Sequence, residues 1–309
     1  MPIRLFLFLV LGLSVARADV RIASLNTVLS DLARKVGGTR VSVEDIVRPG
    51  TDPHIFEPSP GDIRRVADAD LVLAGGLGFE GYLLRLQDAA GETGFFIAGD
   101  FIKPLYTEHA ESCEDHRHDH AQKQELDHAH DHRDGRIVDP HWWHSISNTR
   151  EVVRALRDRL IAMDPEGRSE YEANASAFLA DLEALEAWAR TEVASIPRAR
   201  RILITSHNAF GYLARDHGFV ILTVQGMNTT EQPSSHKVRE LIAEMRERGV
   251  RAIFAENIEN PKILEEITKE TGAVAGGILY ADGLGAADQA STYESMMRHN
   301  ISTIVAALR

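Results

Sequence analysis

Apolar and polar positions alternate with two different periods in the first hundred residues. Short apolar runs predict strands at VRIASL, VSVEDIV, DLVLAGG and GFFIAG. Between these runs, apolar residues recur at helical spacing from Val28 to Val36, and a further helix is predicted near Glu80 to Ala90. Ser59, followed by Pro60 and Asp62, predicts an N-cap that opens a helix to about Ala69. Repeated strand-helix units of this kind predict a mostly parallel sheet with helices on its faces.

The second half of the chain repeats this rhythm. Strands are predicted at RILITS, FVILTV, RAIFAE and AVAGGILY. Helices are predicted between and after them, over Ala209 to Asp216, Ser235 to Arg248, Pro261 to Thr271, and about Asp288 to Leu308. The series therefore predicts a second α/β unit.

A long amphipathic segment separates the two series. A helix from about Asn148 to Met163 precedes it and stops at Asp164-Pro165. The stretch from about Gly167 to Ser195 then places apolar residues at helical steps, namely at Tyr171, Phe178, Leu182, Leu185 and Ala189. At about 1.5 Å per residue this helix would be about 40 Å long.

These patterns predict an α/β fold of two lobes, each a mostly parallel sheet flanked by helices. We expect the lobes at residues 19–165 and 196–309, joined by a single long linker helix over residues 166–195. A helical linker is stiffer than a flexible one, which predicts small motions of the lobes.

Neither the strand spacing nor the helix spacing of apolar residues continues from Pro104 to about Arg136. The part over about residues 108–136 is rich in histidine and acidic residues, HAESCEDHRHDHAQKQELDHAHDHRDG. Its low apolar content gives it no core to join, so we expect a mobile loop of the first lobe. Dense imidazole and carboxylate groups predict weak zinc binding near a tighter site, with a merely solvated loop as the alternative. Cys113 is either a soft ligand of this loop or a lone surface thiol.

The first residues, MPIRLFLFLVLGLSVARA, have the pattern of a secretory signal peptide. Arg4 precedes an apolar run from Leu5 to Leu13, and Ala16-Arg17-Ala18 has the small-x-small form of a cleavage site. A transmembrane anchor is the alternative, but the run is far shorter than the roughly 20 residues that span a bilayer. No cysteine follows the cleavage site to carry a lipid. We therefore expect residues 1–18 to be removed and the protein to be periplasmic.

Composition narrows the choice of partners. The chain has 309 residues, a formal net charge of -12 and one cysteine. The negative charge disfavours nucleic acid and anionic membranes as partners and favours cations. A lone cysteine cannot form an internal disulfide, so the fold must depend on packing. The length fits two domains of about 130 residues each, and we expect a monomer.

Four residues offer nitrogen or oxygen ligands at strand ends or in loops: His54 in TDPHIFEPSP, His141 in VDPHWWHS, His207 in TSHNAFGY and Asp282 in YADGLG. In open α/β sheets the ligand crevice lies beyond the carboxyl ends of the strands, where His54, His207 and Asp282 are expected. Three imidazoles and one carboxylate suit tetrahedral Zn²⁺. Each residue alone has an ordinary alternative: a turn for His54 and Asp282, packing on Trp142 for His141, and a helix cap for His207.

Taken together, these motifs resemble a known family. DPHIFEPSP, DPHWW, SHNAFGYLARDHG and LYADGLG are similar, in order and approximate spacing, to the motifs of zinc- and manganese-binding substrate-binding proteins of bacterial ABC importers, the ZnuA-like or TroA-like proteins. The resemblance covers essentially the whole chain after the leader. It implies two α/β lobes bridged by a long helix, with a metal held between them by His54, His141, His207 and Asp282. Histidine at position 207 implies zinc where glutamate would imply manganese, and imidazole also suits zinc better.

The resemblance further implies a periplasmic high-affinity receptor that delivers Zn²⁺ to the membrane permease of an ABC importer. A periplasmic zinc chaperone is a further candidate partner. A manganese or iron receptor of the same family is one alternative, and a periplasmic zinc hydrolase is another. An adhesin-like or metal-storage protein with the same fold and site is a third. Catalytic zinc usually keeps three protein ligands and an open water position, and the chain has no H-E-x-x-H or G-x-S-x-G motif. We therefore predict that the protein is not an enzyme.

Three neighbouring residues complete the candidate site. His144 lies three residues after His141, so both side chains could approach one ion from a helical turn, and we assign the DPH position, His141, as the ligand. Glu57 and Glu256 are candidate acceptors for imidazole N–H groups, a contact that orients ligands. Surface or capping carboxylates are the alternative for both.

Overall fold

The computed structural model describes residues 20–108, 136–227, 229–230, 233–257, 262–286 and 288–309. Helices and parallel strands alternate through most of this part of the chain. The predicted signal peptide, Cys113 and nearly all of the His-rich loop lie outside the described residues. Within the described ranges, no helix is long and apolar enough to cross a membrane.

The first lobe is built on a four-stranded parallel sheet. Its elements are β1 (Val20–Ser24), α1 (Thr27–Gly37), β2 (Val41–Asp45), α2 (Pro60–Ala67), β3 (Leu71–Ala74), α3 (Leu83–Ala90) and β4 (Gly94–Ile97). The strand order is β2-β1-β3-β4, and the inner strand β3 is buried along its whole length. Ser59 and Asp62 form a capping box at the start of α2, where the sequence predicts an N-cap. The predicted parallel sheet is confirmed.

A short antiparallel pair of strands follows this sheet. β5 (Leu105–Glu108) pairs with β6 (Arg136–Asp139), although we expected an irregular segment from Pro104 onwards. Each strand has only four residues, and its partner lies on the other side of the His-rich segment. No local periodicity reveals such a pairing. This pairing brings the chain before the His-rich segment next to the chain after it.

The second lobe contains two pairs of parallel strands. Its elements are β7 (Ile202–Thr205), α6 (Gly211–His217), β8 (Val220–Thr223), α7 (Ser235–Arg248), β9 (Ala252–Glu256), α8 (Lys262–Thr271), β10 (Val274–Leu279) and α9 (Tyr293–Leu308). β7 pairs with β8, β9 pairs with β10, and β7 lies beside β9. The last helix begins later than the predicted Asp288 because Thr292 caps it in a reciprocal box with Ser295, and Asp288–Ala290 forms a separate 3-10 turn.

Two consecutive helices lie between the two series of strands, α4 (Ile146–Met163) and α5 (Arg168–Ala194). The 27-residue helix α5 buries every apolar position that predicts it, namely Tyr171, Phe178, Leu182, Leu185 and Ala189. It packs against α4, against α1 of the first lobe and against α9 of the second. One hydrophobic core therefore extends through both lobes. The two-lobed α/β fold with a long connecting helix is confirmed, while the limits 19–165, 166–195 and 196–309 stay a prediction.

Tyr293 joins the lobes through buried hydrogen bonds at the start of α9. Its backbone N–H donates to Asp31 of α1 at 2.8 Å. Its hydroxyl accepts a hydrogen bond from Thr149 Oγ1 at 3.0 Å and donates to the Trp143 carbonyl at 2.8 Å. Because Trp143 lies in the segment that follows β6, Tyr293 ties that segment to the second lobe.

We predict that Tyr293→Phe lowers the free energy of unfolding by about 1 to 3 kcal/mol, because it leaves the buried Trp143 carbonyl without this donor. Tyr82→Phe is the matched control, since the Tyr82 hydroxyl is buried without a hydrogen-bond partner in the described structure. Its removal should leave stability unchanged or raise it slightly. Urea unfolding of the metal-free proteins, followed by circular dichroism, measures both variants. Equal losses in the two would contradict the role given to Tyr293.

Candidate metal centre

His54 lies in the first-ligand loop, residues 46–59, which connects β2 to α2 without regular structure around the histidine. Asp52 forms a turn there, because its Oδ1 accepts the backbone N–H of His54 at 2.9 Å. On the other side of His54, Phe56 makes an edge contact with the buried Tyr82 ring, with 5.4 Å between the ring centroids. The loop therefore has one contact on each side of the histidine and no regular structure between them.

His141 follows β6 and precedes the 3-10 turn Trp142–His144. Asp139 forms the same turn as Asp52, since its Oδ1 accepts the His141 backbone N–H at 2.9 Å. The same oxygen lies 2.9 Å from His141 Nδ1, and both side chains are completely buried. This contact assigns the ring proton to Nδ1 and leaves the lone pair of Nε2 for an ion.

His207 follows β7, and the end of the neighbouring strand β9 supplies its partner, Glu256. The Glu256 carboxylate accepts the backbone N–H of His207 at 3.1 Å and, through its other oxygen, contacts His207 Nδ1. The Thr205 hydroxyl donates to the His207 carbonyl at 2.8 Å. His207 Nε2 is buried and makes no hydrogen bond within the described structure. The carboxylate therefore again orients the ring so that Nε2 is available.

Asp282 follows β10 in a loop that the first lobe holds in place. Trp143 Nε1 and His144 Nε2 each donate to the carbonyl of Ala281 at 2.8 Å. The N–H two residues after Asp282 donates to Thr27 Oγ1 at 2.7 Å. Both carboxylate oxygens of Asp282 are buried, and neither accepts a hydrogen bond from the described residues. The backbone is therefore fixed on both sides of an acid whose oxygens are left for another partner.

The four side chains converge on one point between the lobes. One ligand atom from each of His54, His141, His207 and Asp282 lies within 4.8 Å of the others. The Nε2 atoms of His141 and His207 lie 3.3 Å from Asp282 Oδ1. His54 Nε2 lies 3.7 Å from Asp282 Oδ2 and 3.5 Å from His141 Nε2. A tetrahedral zinc site with bonds of about 2.0 to 2.2 Å has ligand atoms about 3.3 to 3.6 Å apart. The separations of 3.3 and 3.5 Å match these values and that of 3.7 Å is slightly longer, so small shifts of the side chains would complete such a site.

The buried carboxylates around this point change the proton affinity of the ligands. Burial lowers the pKa of His207, but the charges of Asp282 and Glu256 outweigh it and hold this pKa well above its ordinary value. Burial also opposes the charge on His141, yet its contacts with Asp139 and Asp282 raise its pKa. Asp282 has a pKa well below its usual range, because the imidazoles overcome the effect of burial. A divalent cation at this point would displace protons from the imidazoles.

Aromatic rings shield the ligands from water. Phe79 makes edge contacts with His54, His141 and Trp143, and its ring centroid lies 4.9, 5.8 and 4.8 Å from theirs. Phe79 and Trp143 are both fully buried. Because charges interact more strongly where water is excluded, this wall strengthens the attraction between Asp282 and a bound cation.

Two of the neighbouring residues considered in the sequence analysis do not face this point as ligands or ligand partners. His144 is buried and its Nε2 is occupied by the Ala281 carbonyl, while burial lowers its pKa to about 3. The side chain of Glu57 is 76% exposed and lies 3.6 Å from Arg85. Glu57 is therefore a surface carboxylate, the alternative left open for it, whereas Glu256 contacts the imidazole of His207.

Asp139 is a site residue that the search for ligands alone does not identify. A signal for it is nevertheless present, because Asp-Pro-His occurs twice, at residues 52–54 and 139–141. In both copies the aspartate accepts the N–H of the histidine two residues later. The repeated triplet therefore indicates a turn that presents the histidine, and in the second copy the same aspartate also orients the ring.

Two α/β lobes with a buried cluster of three histidines and one aspartate between them define a class, the metal-binding substrate-binding proteins of ABC transporters. The chain belongs to the ZnuA family, described as "Zinc-uptake complex component A periplasmic", whose sequence pattern matches residues 22–307.

Similar proteins carry the names of three different metals. The manganese-binding lipoprotein MntA of Halalkalibacterium halodurans is 29% identical over 298 residues, which cover 96% of this chain and 91% of that protein. The iron-binding protein YfeA of Yersinia pestis is 30% identical over 282 residues, with 90% and 83% covered. The zinc-binding protein TroA of Treponema pallidum is 30% identical over 305 residues, with 96% and 92% covered. The solved structure of periplasmic zinc-binding TroA has a TM-score of 0.80 at 28% identity and covers 94% of this chain and 99% of its own.

We predict that Glu256→Gln reduces the number of protons released when Zn²⁺ binds at pH 7. The Glu256 carboxylate raises the pKa of His207, so the metal-free protein holds a proton there that the ion displaces. Glutamine keeps the shape of the side chain but removes its charge. For the same reason, zinc affinity should fall as the pH falls, since protons then compete better for His207. Calorimetric titrations in buffers of different ionisation enthalpy count the released protons.

Glu57→Gln is the matched control for this experiment, because it removes a carboxylate that is 76% exposed and contacts Arg85. It should release as many protons as the parent. Equal proton release by the parent and both variants would contradict the coupling between Glu256 and His207.

Proposed function

We propose that this protein is a periplasmic receptor that binds Zn²⁺ with high affinity and delivers it to the membrane permease of an ABC importer. The proposed ligands are His54, His141, His207 and Asp282. The observation that carries the choice of zinc is the donor set, three imidazole nitrogens and one carboxylate at separations suited to a tetrahedral ion. Imidazole suits zinc, whereas manganese is better served by carboxylate, carbonyl and water oxygens.

A receptor accounts for this site better than a hydrolase does. Four protein ligands fill a tetrahedron, so no position remains for a water that zinc could activate. The aromatic wall of Phe79 and Trp143 further restricts access to the ion. We therefore propose a binding protein rather than an enzyme.

The partners and location belong to the same proposal. A similar protein of Streptococcus mutans, SloC, is named a metal ABC transporter substrate-binding lipoprotein, which supports a permease as the partner. The signal-peptide pattern at residues 1–18 supports the periplasm. The His-rich segment at about 108–136 would gather zinc near the site, and a zinc chaperone is a further candidate partner. We propose a monomer.

A manganese or iron receptor is the second candidate, favoured by the names of MntA and YfeA. The two candidates predict different bound metals when the protein is offered a mixture of ions. A zinc site built from imidazoles should reject manganese even when both ions are present at equal concentration.

We predict that protein equilibrated with equal Zn²⁺, Mn²⁺ and Fe²⁺ and then desalted retains one zinc per chain, as measured by elemental mass spectrometry. His54→Ala, His141→Ala and His207→Ala should each weaken zinc binding by more than about 100-fold, because losing a ligand costs more than losing an outer partner. His144→Ala is the control and should cost much less, since His144 contacts Ala281 rather than the ion. Retention of manganese instead of zinc would refute the metal assignment, and histidine variants that titrate like the parent would refute the ligands.

A further inference from the structure

The first-ligand loop is joined to the second lobe by a hydrogen bond that does not involve the ion. Thr229 Oγ1 donates to Asp52 Oδ2 at 2.6 Å, while Asp52 Oδ1 accepts the backbone N–H of His54 at 2.9 Å. One carboxylate therefore connects His54 to a residue 177 positions further along the chain than Asp52. We propose that this Asp52–Thr229 clasp holds His54 against the bound ion and sets the rate at which the ion leaves. The inference rests on the proposed function, because it takes His54 as a ligand.

Thr229 is itself connected to the loop that carries His207. The carbonyl of Gly226 accepts the N–H of Asn208, the residue after His207, at 2.8 Å. The side-chain amide of Gln225 donates to the Thr229 carbonyl at 3.4 Å. The clasp therefore links the loop of one candidate ligand in the second lobe to the loop of another in the first.

Among the four candidate ligands, His54 depends most on such a link. Buried carboxylates hold the Nδ1 atoms of His141 and His207, and the residue before Asp282, Ala281, is held by hydrogen bonds from Trp143 and His144. Asp52 instead holds the backbone of His54, in a loop without regular structure. The His54 side chain is 5% exposed, compared with 0%, 0% and 1% for those of His141, His207 and Asp282. Exchange of a ligand for water should therefore begin at His54.

The chemistry of the clasp suits control of release. A hydroxyl that donates to a carboxylate makes a stronger hydrogen bond than a pair of neutral groups does. Asp52 and Thr229 are both only partly exposed, which limits competition from water. Among closely related complexes, most differences in affinity arise in the dissociation rate. We therefore expect loss of the clasp to speed zinc release about tenfold, equivalent to ~1.4 kcal/mol.

Thr229→Val and Thr229→Ser test the clasp as a matched pair. Valine keeps the size and branching of threonine but has no hydroxyl, whereas serine keeps the hydroxyl. Each full-length variant is loaded with one equivalent of Zn²⁺ and mixed with an excess of a chromophoric chelator in a stopped-flow instrument. Thr229→Val should release zinc about tenfold faster than the parent, and Thr229→Ser should release it at nearly the parent rate. Both should still bind one zinc, because all four ligands remain.

Three results would overturn the clasp. Release from Thr229→Val at the parent rate would show that the bond does not restrain His54. Equally fast release from the valine and serine variants would show that the hydroxyl is not responsible. The unfolding free energy of metal-free Thr229→Val could also fall by the amount equivalent to its faster release. That result would assign the faster release to a general loss of stability. A parent protein that fails to bind one zinc would instead refute the proposed function, and the clasp with it.

Discussion

A buried carboxylate facing three imidazoles is the arrangement on which the rest of the structure depends. Asp282 and His207 come from the second lobe and His54 and His141 from the first, so the cluster exists only where the lobes meet. Burying so many ionisable groups is costly unless their charges are compensated. The buried carboxylates raise the pKa values of His141 and His207, which favours protons on these imidazoles in the metal-free protein, and a divalent cation would displace those protons. The surrounding turns, partner carboxylates and aromatic rings all keep the four ligand atoms at the separations that such a cation requires.

The connection between the lobes limits the ways in which this cluster can open. α5 packs on helices of both lobes, one hydrophobic core runs through them, and Tyr293 links α1, α4 and the segment after β6 by buried hydrogen bonds. A metal can shift the balance of conformations only by its different affinity for each of them. With the lobes joined so extensively, the segments best able to rearrange are loops that carry ligands, above all the first-ligand loop, which lacks regular structure around His54.

Local sequence patterns identify the features whose causes are local. The capping box at Ser59, the buried stripe of α5 and the strand-helix repeats all follow from spacing within a few residues. His207 and Asp282 follow the parallel strands β7 and β10 of the second lobe, as strand-end placement predicts. Local patterns do not predict features that depend on residues far apart in the sequence. The pairing of β5 with β6 spans the His-rich segment, Glu57 turns to solvent in an irregular loop, and Thr229 reaches Asp52 from the other lobe. The repeated Asp-Pro-His triplet indicates the turn at Asp139. It does not indicate the contact between Asp139 and the His141 ring, which depends on the path of the chain after the turn.

X-ray absorption at the zinc edge, on protein loaded with one equivalent of Zn²⁺, tests the central claim most directly because it reports the atoms bound to the ion. The four converging side chains predict a four-coordinate ion with three imidazole nitrogens and one carboxylate oxygen at about 2.0 to 2.2 Å. A shell of five or six mainly oxygen ligands, or one that contains sulfur, would contradict the assignment of His54, His141, His207 and Asp282 as the zinc site.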